Sequence, residues 1–261
     1  MNELKDTDRI LKSKLERVTI RYQNEIINRL RLYVFAKSAI TLYCKDRLSQ
    51  FEGYDFTDFK LKFKLVDFHE DKEIKRISYK DMVKTGEDFV SNELTDAIYV
   101  LNTSTFENWL LTILKQKLLI NKSSIYSDMS RIRKGDEDYA RIDVAMVRGV
   151  STLEELWGNI VDKYLRSLPY DGIKKVMGKF LNVFKIGKET ITPNIFDKIN
   201  EVYLCRNAIV HNRKKVGNDY IEKSGKFARF KLDDVIVLTE DVLFEQADNL
   251  LRFMQDFRKS L

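Results

Sequence analysis

The chain has 261 residues, enough to bury a large hydrophobic core. Its 46 Lys and Arg residues exceed its 40 Asp and Glu residues and give a net charge of +6, which is compatible with an anionic partner but does not indicate one. Only two prolines and ten glycines interrupt the sequence, so the composition favours long helices.

Cysteine usage and the N-terminus predict a cytoplasmic location. Cys44 and Cys205 are far apart and lack a metal-binding or redox spacing, so we expect two free thiols in a reducing compartment. The segment Met1–Asp6 is charged and does not resemble a signal peptide. The apolar runs are all short, far below the roughly 20 residues of a membrane-spanning helix. With only two histidines and two distant cysteines in the chain, we expect no metal site. The short apolar runs predict no membrane partner, and we expect no cofactor.

Residues 6–50 predict one long helix or two, because apolar residues recur at helical spacing. These positions are Leu11, Leu15, Val18, Tyr22, Ile26, Leu30 and Tyr33. The cations among them, including Arg17, Arg21, Arg29 and Arg31, leave nucleic-acid binding open. Interleaved acids favour a solvated helix face instead.

The segment Phe59–Leu65 alternates apolar and polar residues, which is typical of a strand. Its partner would be Phe227–Lys231 or Val235–Leu238, and a short helix is the alternative. The charged stretch 69–80 that follows predicts a connector. We therefore divide the chain into an N-terminal helical region of unknown role, residues 1–77, and a second domain, residues 78–261.

The second domain is also predicted to be helical. The pattern is helical from residue 78 to about 121, and a polar loop with short helices follows over 122–150. Ser151 and Glu154 have the spacing of a capping box that opens a helix ending near Leu168. Another helix is expected over 172–184. The fold class is all-α, with an additional N-terminal helical region and room for a few short strands.

Two further helices complete the predicted domain. Thr192 is a candidate N-cap with Pro193 at the first helical position, and apolar residues then recur at helical spacing to Ile209. The last helix is expected after the acidic turn that follows Thr239 and runs to about Arg258.

The candidate catalytic residues lie near the end of the helix that Pro193 opens. Asn207 and His211 are four residues apart and share one helix face, whereas Arg206 lies roughly 140° round from His211 at about 100° per residue. One explanation is structural: His211 suits the negative end of the helix dipole, and Arg206 forms an ion pair. The other explanation is a catalytic pair with a polar neighbour.

The segment Arg206–Asn212 resembles the Arg-x(4–6)-His motif of HEPN-domain ribonucleases. Phe106–Leu110 is similar to an early helix of the RiboL-PSP and defence-associated branch, and Val216–Tyr220 resembles the segment that follows its His. Val235–Leu238 and the last helix complete the likeness, which covers residues 78–261. The resemblance implies a HEPN-like helical bundle that acts as a homodimer and cuts RNA without a metal ion.

The resemblance also implies roles for individual residues. His211 would be the base, and Arg206 would stabilise the phosphate charge. Asn207 would orient His211 or hold a phosphate oxygen. Glu107 would position Arg206, and Asn212 would be a supporting residue. A surface role for Glu107 is the alternative. The residues expected to contact the RNA backbone are Lys174, Lys175, Arg213, Lys214 and Lys215.

The implied partners are RNA (tRNA or mRNA), a second copy of the chain, and an antitoxin or other regulatory protein of a phage-defence or toxin–antitoxin system. Toxins of the family that are paired with a nucleotidyltransferase carry a Tyr two residues after the His, where this chain has Arg213. Regulation by modification of that Tyr is therefore not expected. The alternative function is a non-catalytic module that binds RNA or protein.

Overall fold

The computed structural model describes residues 2–50, 79–120, 149–168 and 172–261; within the first two ranges, side chains are described for 8–42 and 84–120. These residues form an all-α fold, as the sequence predicts. Their only β-type pairing is an isolated antiparallel bridge between Lys215 and Val235. The predicted strand Phe59–Leu65 and nearly all of the segments 69–80 and 122–150 lie outside the described residues.

The helices follow one another with short connections wherever the chain is described. They are α1 Asn2–Gln50, α2 Tyr79–Asp88, α3 Thr95–Ile120, α4 Leu153–Ser167, α5 Ile173–Phe184, α6 Ile195–His211, α7 Asn218–Ser224 and α8 Glu240–Ser260. A π-helical turn, Phe89–Leu94, joins α2 to α3 without a break. The helices predicted from periodicity are thus confirmed, and residues 6–50 belong to one helix. No helix in the described ranges has the length and apolar character needed to cross a membrane.

Two predicted helix starts are wrong. Helix α4 is capped by Thr152, whose Oγ1 accepts from the N–H of Glu155 at 3.2 Å, while the Glu155 carboxylate accepts from the N–H of Thr152 at 3.3 Å. The capping box therefore lies one residue later than the Ser151–Glu154 spacing suggested. Thr192 does not cap α6 either, because its N–H and hydroxyl both donate to Asp256, at 2.8 and 2.6 Å.

Helix α3 is the centre of the fold. It packs against α1, α4, α5, α6 and α8, and its buried residues include Phe106 and Trp109, both with no exposed surface. The rings of Phe180, Phe253 and Phe257 surround Trp109, with centroids between 5.4 and 6.1 Å away. A helix that is apolar on several faces has to be covered by several others, and this places α3 inside the bundle.

Helix α1 shares this core. Leu11, Leu15 and Ile26 are buried in the same cluster as Trp109. The indole N–H of Trp109 donates to the Thr19 hydroxyl at 3.1 Å, which gives the buried nitrogen a partner. The described part of the N-terminal region is therefore packed against the rest of the chain, while the division at residue 77 stays a prediction.

A second apolar cluster lies beneath the C-terminal end of α6. It includes Val202 and Cys205 of α6 together with Tyr220, Ile236 and Leu238. Backbone hydrogen bonds hold the segment around Ile236 beside the turn that follows α6, since Val216 N–H donates to Asp234 O at 2.9 Å and Ile236 N–H to Lys214 O at 2.8 Å. The part of α6 that carries the candidate residues packs on this cluster.

Candidate active site

The three candidate catalytic residues occupy the last turns of α6, at the molecular surface. Asn207 and His211 are exposed and Arg206 is half-buried. Because α6 remains a regular α-helix to His211, Asn207 and His211 lie one above the other on a single face. The neighbouring Val210 is 45% exposed, so an apolar side chain beside this face is left uncovered by the described part of the chain.

Arg206 lies within electrostatic range of a carboxylate on the neighbouring helix. Its Nη1 donates to Asn207 Oδ1 at 3.0 Å, which fixes the guanidinium next to the face that carries His211. Glu107 of α3 lies close enough for the two charges to interact. Burial raises the pKa of the Glu107 carboxyl, and the positive charge of Arg206 opposes that rise. The structure thus places Glu107 and Arg206 within electrostatic range of each other across the α3–α6 contact.

Tyr203 belongs to the same group, although no role for it was predicted from the sequence. Its hydroxyl donates to the carbonyl of Thr103 at 3.2 Å, one helical turn before Glu107. Burial raises the pKa of Tyr203 well above its usual value; the Glu107 charge adds to this rise and the Arg206 charge opposes it. The spacing of Tyr203 and Arg206, three residues apart on one helix, was the available signal.

Several hydrogen bonds hold the turn after His211 in place. Asn212 N–H and Lys214 N–H both donate to Ala208 O, at 3.1 and 3.0 Å, and Arg213 and Lys214 have left-handed φ values of 50° and 64°. The Asn212 side-chain amide donates to Lys215 O at 2.5 Å. Asn212 therefore closes the helix end by satisfying backbone groups, and Arg213 is left exposed.

The two lysines in this turn form intramolecular ion pairs. Lys214 is paired with Asp96 at the start of α3, where the carboxylate side chain is only 13% exposed. Lys215 is paired with Asp233 at 3.0 Å, and both of those side chains are largely exposed. Among the predicted RNA-binding cations of this turn, Arg213 alone has no acid partner in the described part of the chain.

Lys174 and Lys175 lie at the opposite end of α6 from His211. Lys174 is paired with Asp197 in the first turn of that helix. Asp197 and His211 are separated by about 21 Å at roughly 1.5 Å per residue. Within one chain, the structure does not bring these two lysines to the end of the helix that carries His211.

An ion pair between the buried Glu201 and the partly buried Arg229 anchors the part of α6 that precedes Arg206. Glu201 is 1% exposed, accepts from the Tyr220 hydroxyl at 2.6 Å, and is paired with the Nε of Arg229 at 3.1 Å. Burial raises the pKa of Glu201, and the positive charge of Arg229 opposes that rise. The neighbouring Cys205 is also buried, which raises the pKa of its thiol to about 12. This cluster is enclosed and supports the helix from within.

In the described ranges, no group of three or more His, Cys, Asp or Glu side chains is arranged to hold a metal ion. Comparisons of the chain with protein-family models, curated proteins and solved structures gave no match. The likeness to HEPN ribonucleases accordingly rests on the motifs of the sequence, and its functional content is a proposal.

Proposed function

We propose that the protein is a metal-independent endoribonuclease whose site is built from Arg206, Asn207 and His211. The observation that carries the proposal is the position of these residues at one exposed helix end, with Arg206 beside Glu107. The bonds to Ala208 and Asn212 that close the helix give this end a defined geometry. A fixed position for a base and a phosphate-binding cation is what transesterification of RNA requires.

The reaction follows from the chemistry of the side chains. His211 takes the proton of a ribose 2′-OH, and the resulting oxygen attacks the adjacent phosphorus. A bond from O2′ to phosphorus forms while the bond from phosphorus to O5′ breaks, and a protonated acid supplies the proton that O5′ takes up. The guanidinium of Arg206 donates to the phosphate oxygens as negative charge builds up on them. The products are a 2′,3′-cyclic phosphate and a 5′-OH.

The acid in this scheme is the His211 of a second copy of the chain. The site at the end of α6 contributes one His per chain, which provides a base but no separate acid, and a homodimer that pairs the two α6 ends supplies both. The exposed Val210 next to His211 offers an apolar contact at this interface. A monomer is then inactive, and tRNA or mRNA lies across both copies of the motif.

The chemistry of the RNA ends tests this proposal. The purified full chain, in buffer containing EDTA, is expected to cleave tRNA or mRNA and to leave ends that a 2′,3′-cyclic phosphatase converts to 3′-OH. A substrate with 2′-deoxyribose at the cleaved nucleotide is expected to resist, because the nucleophile is missing. Cleavage of the deoxy-substituted strand at the same position would contradict the mechanism.

The second candidate function is a non-catalytic module that binds RNA or protein. It is favoured by the ion pairs of Lys214 and Lys215, which occupy two of the three cations in the turn that follows His211. Expression in a bacterial host separates the two functions. A ribonuclease of this kind is expected to arrest growth, and Arg206→Ala is expected to relieve the arrest. If both versions are harmless and no RNA is degraded, the result supports the binding module.

A further inference from the structure

A row of exposed cations lies on the solvent-facing side of α1, away from α6. Lys14, Arg17, Arg21 and Arg31 are all exposed there. None of these four forms an ion pair with an acid in the described part of the chain. This contrasts with Lys174, which lies near the start of α6 and is paired with Asp197.

These cations share one helix face. At about 100° per residue, the face occupies an arc of roughly 100° and extends for about 30 Å. The residues of this outer face are Lys14, Arg17, Arg21, Asn24, Asn28, Arg31, Leu32 and Phe35. The buried residues Leu15, Ile26 and Tyr33 point to the opposite side, toward α3 and α8. The outer face is thus a straight row that the protein's own core does not use.

The outer face contains amides, an exposed leucine and an aromatic ring but no acid. Glu25 lies at its edge and is paired with Arg29 at 3.8 Å. Arg31 donates to Asn28 Oδ1 at 3.3 Å, which holds its guanidinium along the face. Phe35 is 70% exposed at the C-terminal end of the row. An exposed phenyl ring next to guanidinium groups without acid partners has no explanation in the folding of the chain itself.

We propose that the outer face of α1 binds single-stranded RNA. Proteins that hold single strands combine cations that follow the phosphates with aromatic rings on which bases stack. Lys14, Arg17, Arg21 and Arg31 supply the cations, and Phe35 supplies the ring. The inference rests on the proposed function for its choice of RNA as the polyanion, and it places the main contact with the RNA backbone on α1.

A membrane surface fits this face less well. In a helix that lies in a bilayer interface, the apolar stripe enters the lipid and the cations flank that stripe along its length. Here the continuous apolar stripe of α1 is buried in the core, and it includes Leu11, Leu15 and Ile26. On the outer face, Lys14, Arg17, Arg21 and Arg31 precede the two apolar residues, Leu32 and Phe35, along the helix instead of flanking an apolar stripe.

The test is direct binding to RNA by a protein that cannot cleave it. Fluorescein-labelled oligouridine of about 20 nucleotides is titrated with the full chain carrying His211→Ala, and anisotropy is recorded over a range of salt concentrations. The double variant Arg17→Gln/Arg21→Gln is made in this background. Its matched control is Arg166→Gln/Lys231→Gln, which removes the same charge from exposed positions outside α1. Circular dichroism checks that each variant is folded.

The double variant is expected to bind at least about fivefold more weakly. The slope of log K against log salt concentration is expected to fall in magnitude by about 1.4, at roughly 0.7 for each phosphate that is no longer neutralised. Phe35→Leu is expected to weaken binding by more than about fivefold without changing the slope, because stacking does not release counterions. Phe35→Trp is expected to restore the affinity. The control variant is expected to bind like its parent.

Three results would overturn the inference. The first is that the double variant and its control have equal affinities and equal salt slopes. The second is that a duplex of the same length binds more tightly than the single strand. The third is that anionic lipid vesicles bind in an Arg17-dependent manner while oligouridine does not bind. Binding is measured without cleavage, so the outcome is independent of the catalytic proposal. An active nuclease whose α1 variants bind RNA normally would refute this inference alone.

Discussion

Lys214 forms an ion pair with Asp96, and this contact ties the turn after His211 to the first turn of α3. The same lysine contributes its backbone N–H to Ala208 O at 3.0 Å and its carbonyl to Ile236 N–H at 2.8 Å. Three separate parts of the fold therefore meet at one residue. We assign Lys214 a structural role, and the RNA contact that the resemblance implied for it stays a prediction.

The stability of two neighbouring lysine variants tests this assignment. Lys214→Met leaves the Asp96 carboxylate, only 13% exposed, without its partner, and we expect a loss of about 2 kcal/mol in the free energy of unfolding. Lys215→Met removes the same charge from an exposed pair and is expected to cost less than about 0.5 kcal/mol. Urea denaturation measures both. Equal losses would contradict the structural role of Lys214.

The electrostatic interaction between Glu107 and Arg206 predicts a change in the Glu107 pKa when the arginine charge is removed. Since the Arg206 charge lowers the pKa of Glu107 against the effect of burial, the Arg206→Met variant is expected to have a higher Glu107 pKa than the wild type. Carbon-13 NMR of the side-chain carboxyl measures it directly. Arg213→Met, which removes an exposed arginine from the turn, is the control and is expected to leave that pKa where it was. An unchanged Glu107 pKa in the Arg206 variant would mean that the two charges do not meet.

The raised pKa of Glu107 also predicts how stability depends on pH. The folded state binds the Glu107 proton more tightly than the unfolded state does, so this group stabilises the folded state at acidic pH. Its contribution to the free energy of unfolding is lost as the pH rises from the ordinary carboxyl pKa through the folded pKa. Glu107→Gln cannot titrate and is expected to lose less stability over that window than the wild type. Parallel denaturation curves from pH 4 to pH 7 provide the measurement. A larger loss in the Gln variant would show that the sign is wrong.

Cys205 is expected to be inert to thiol reagents in the folded protein. Its thiol is fully buried, and burial raises its pKa to about 12, so the thiolate population at pH 8 is small. In a Cys44→Ser background, the rate of modification by an aromatic disulfide should be at least about 100-fold below that of a free thiol. Urea should restore the fast rate. Rapid labelling without urea would indicate that α6 opens readily.

The buried pair of Glu201 and Arg229 predicts a large and specific loss of stability. Arg229→Met leaves an uncompensated carboxylate that is 1% exposed, at a cost of about 3–5 kcal/mol. The double variant Glu201→Gln/Arg229→Met removes the stranded charge and should recover part of that loss. Arg252→Met breaks an exposed pair with Asp248 and should cost about 0.5 kcal/mol. If Arg229→Met were no more damaging than Arg252→Met, the pair would not be buried in solution.

Local sequence patterns were sufficient for the helices but not for their first residues. The periodicity of Leu11, Leu15 and Ile26 predicted α1 because those side chains do face the core. Ser151 and Thr152 are both followed by Glu three residues later, so spacing alone did not distinguish the two capping boxes. Thr192 has a cap's chemistry, but its hydroxyl is bound by Asp256 from a distant helix, and local rules do not report such a partner.

The candidate site was predictable in part for the same reason. Asn207 and His211 share a face by helical geometry alone. The neighbours of Lys174 and Lys214 are determined by tertiary packing, and a sequence does not reveal that Asp197 and Asp96 pair with them. The placement of Glu107 beside Arg206 was suggested by family resemblance, and the geometry of α3 and α6 supplies its physical basis.

The most direct test of the proposed ribonuclease site is the cleavage rate of RNA by two histidine variants. The chain has only two histidines, so His69→Ala is a matched control for His211→Ala. With excess enzyme and EDTA, we predict that His211→Ala slows single-turnover cleavage by at least about 100-fold, while His69→Ala cleaves at the wild-type rate. Cleavage by His211→Ala as fast as by the wild type, or cleavage only in the presence of Mg²⁺, would contradict a metal-independent site at the end of α6.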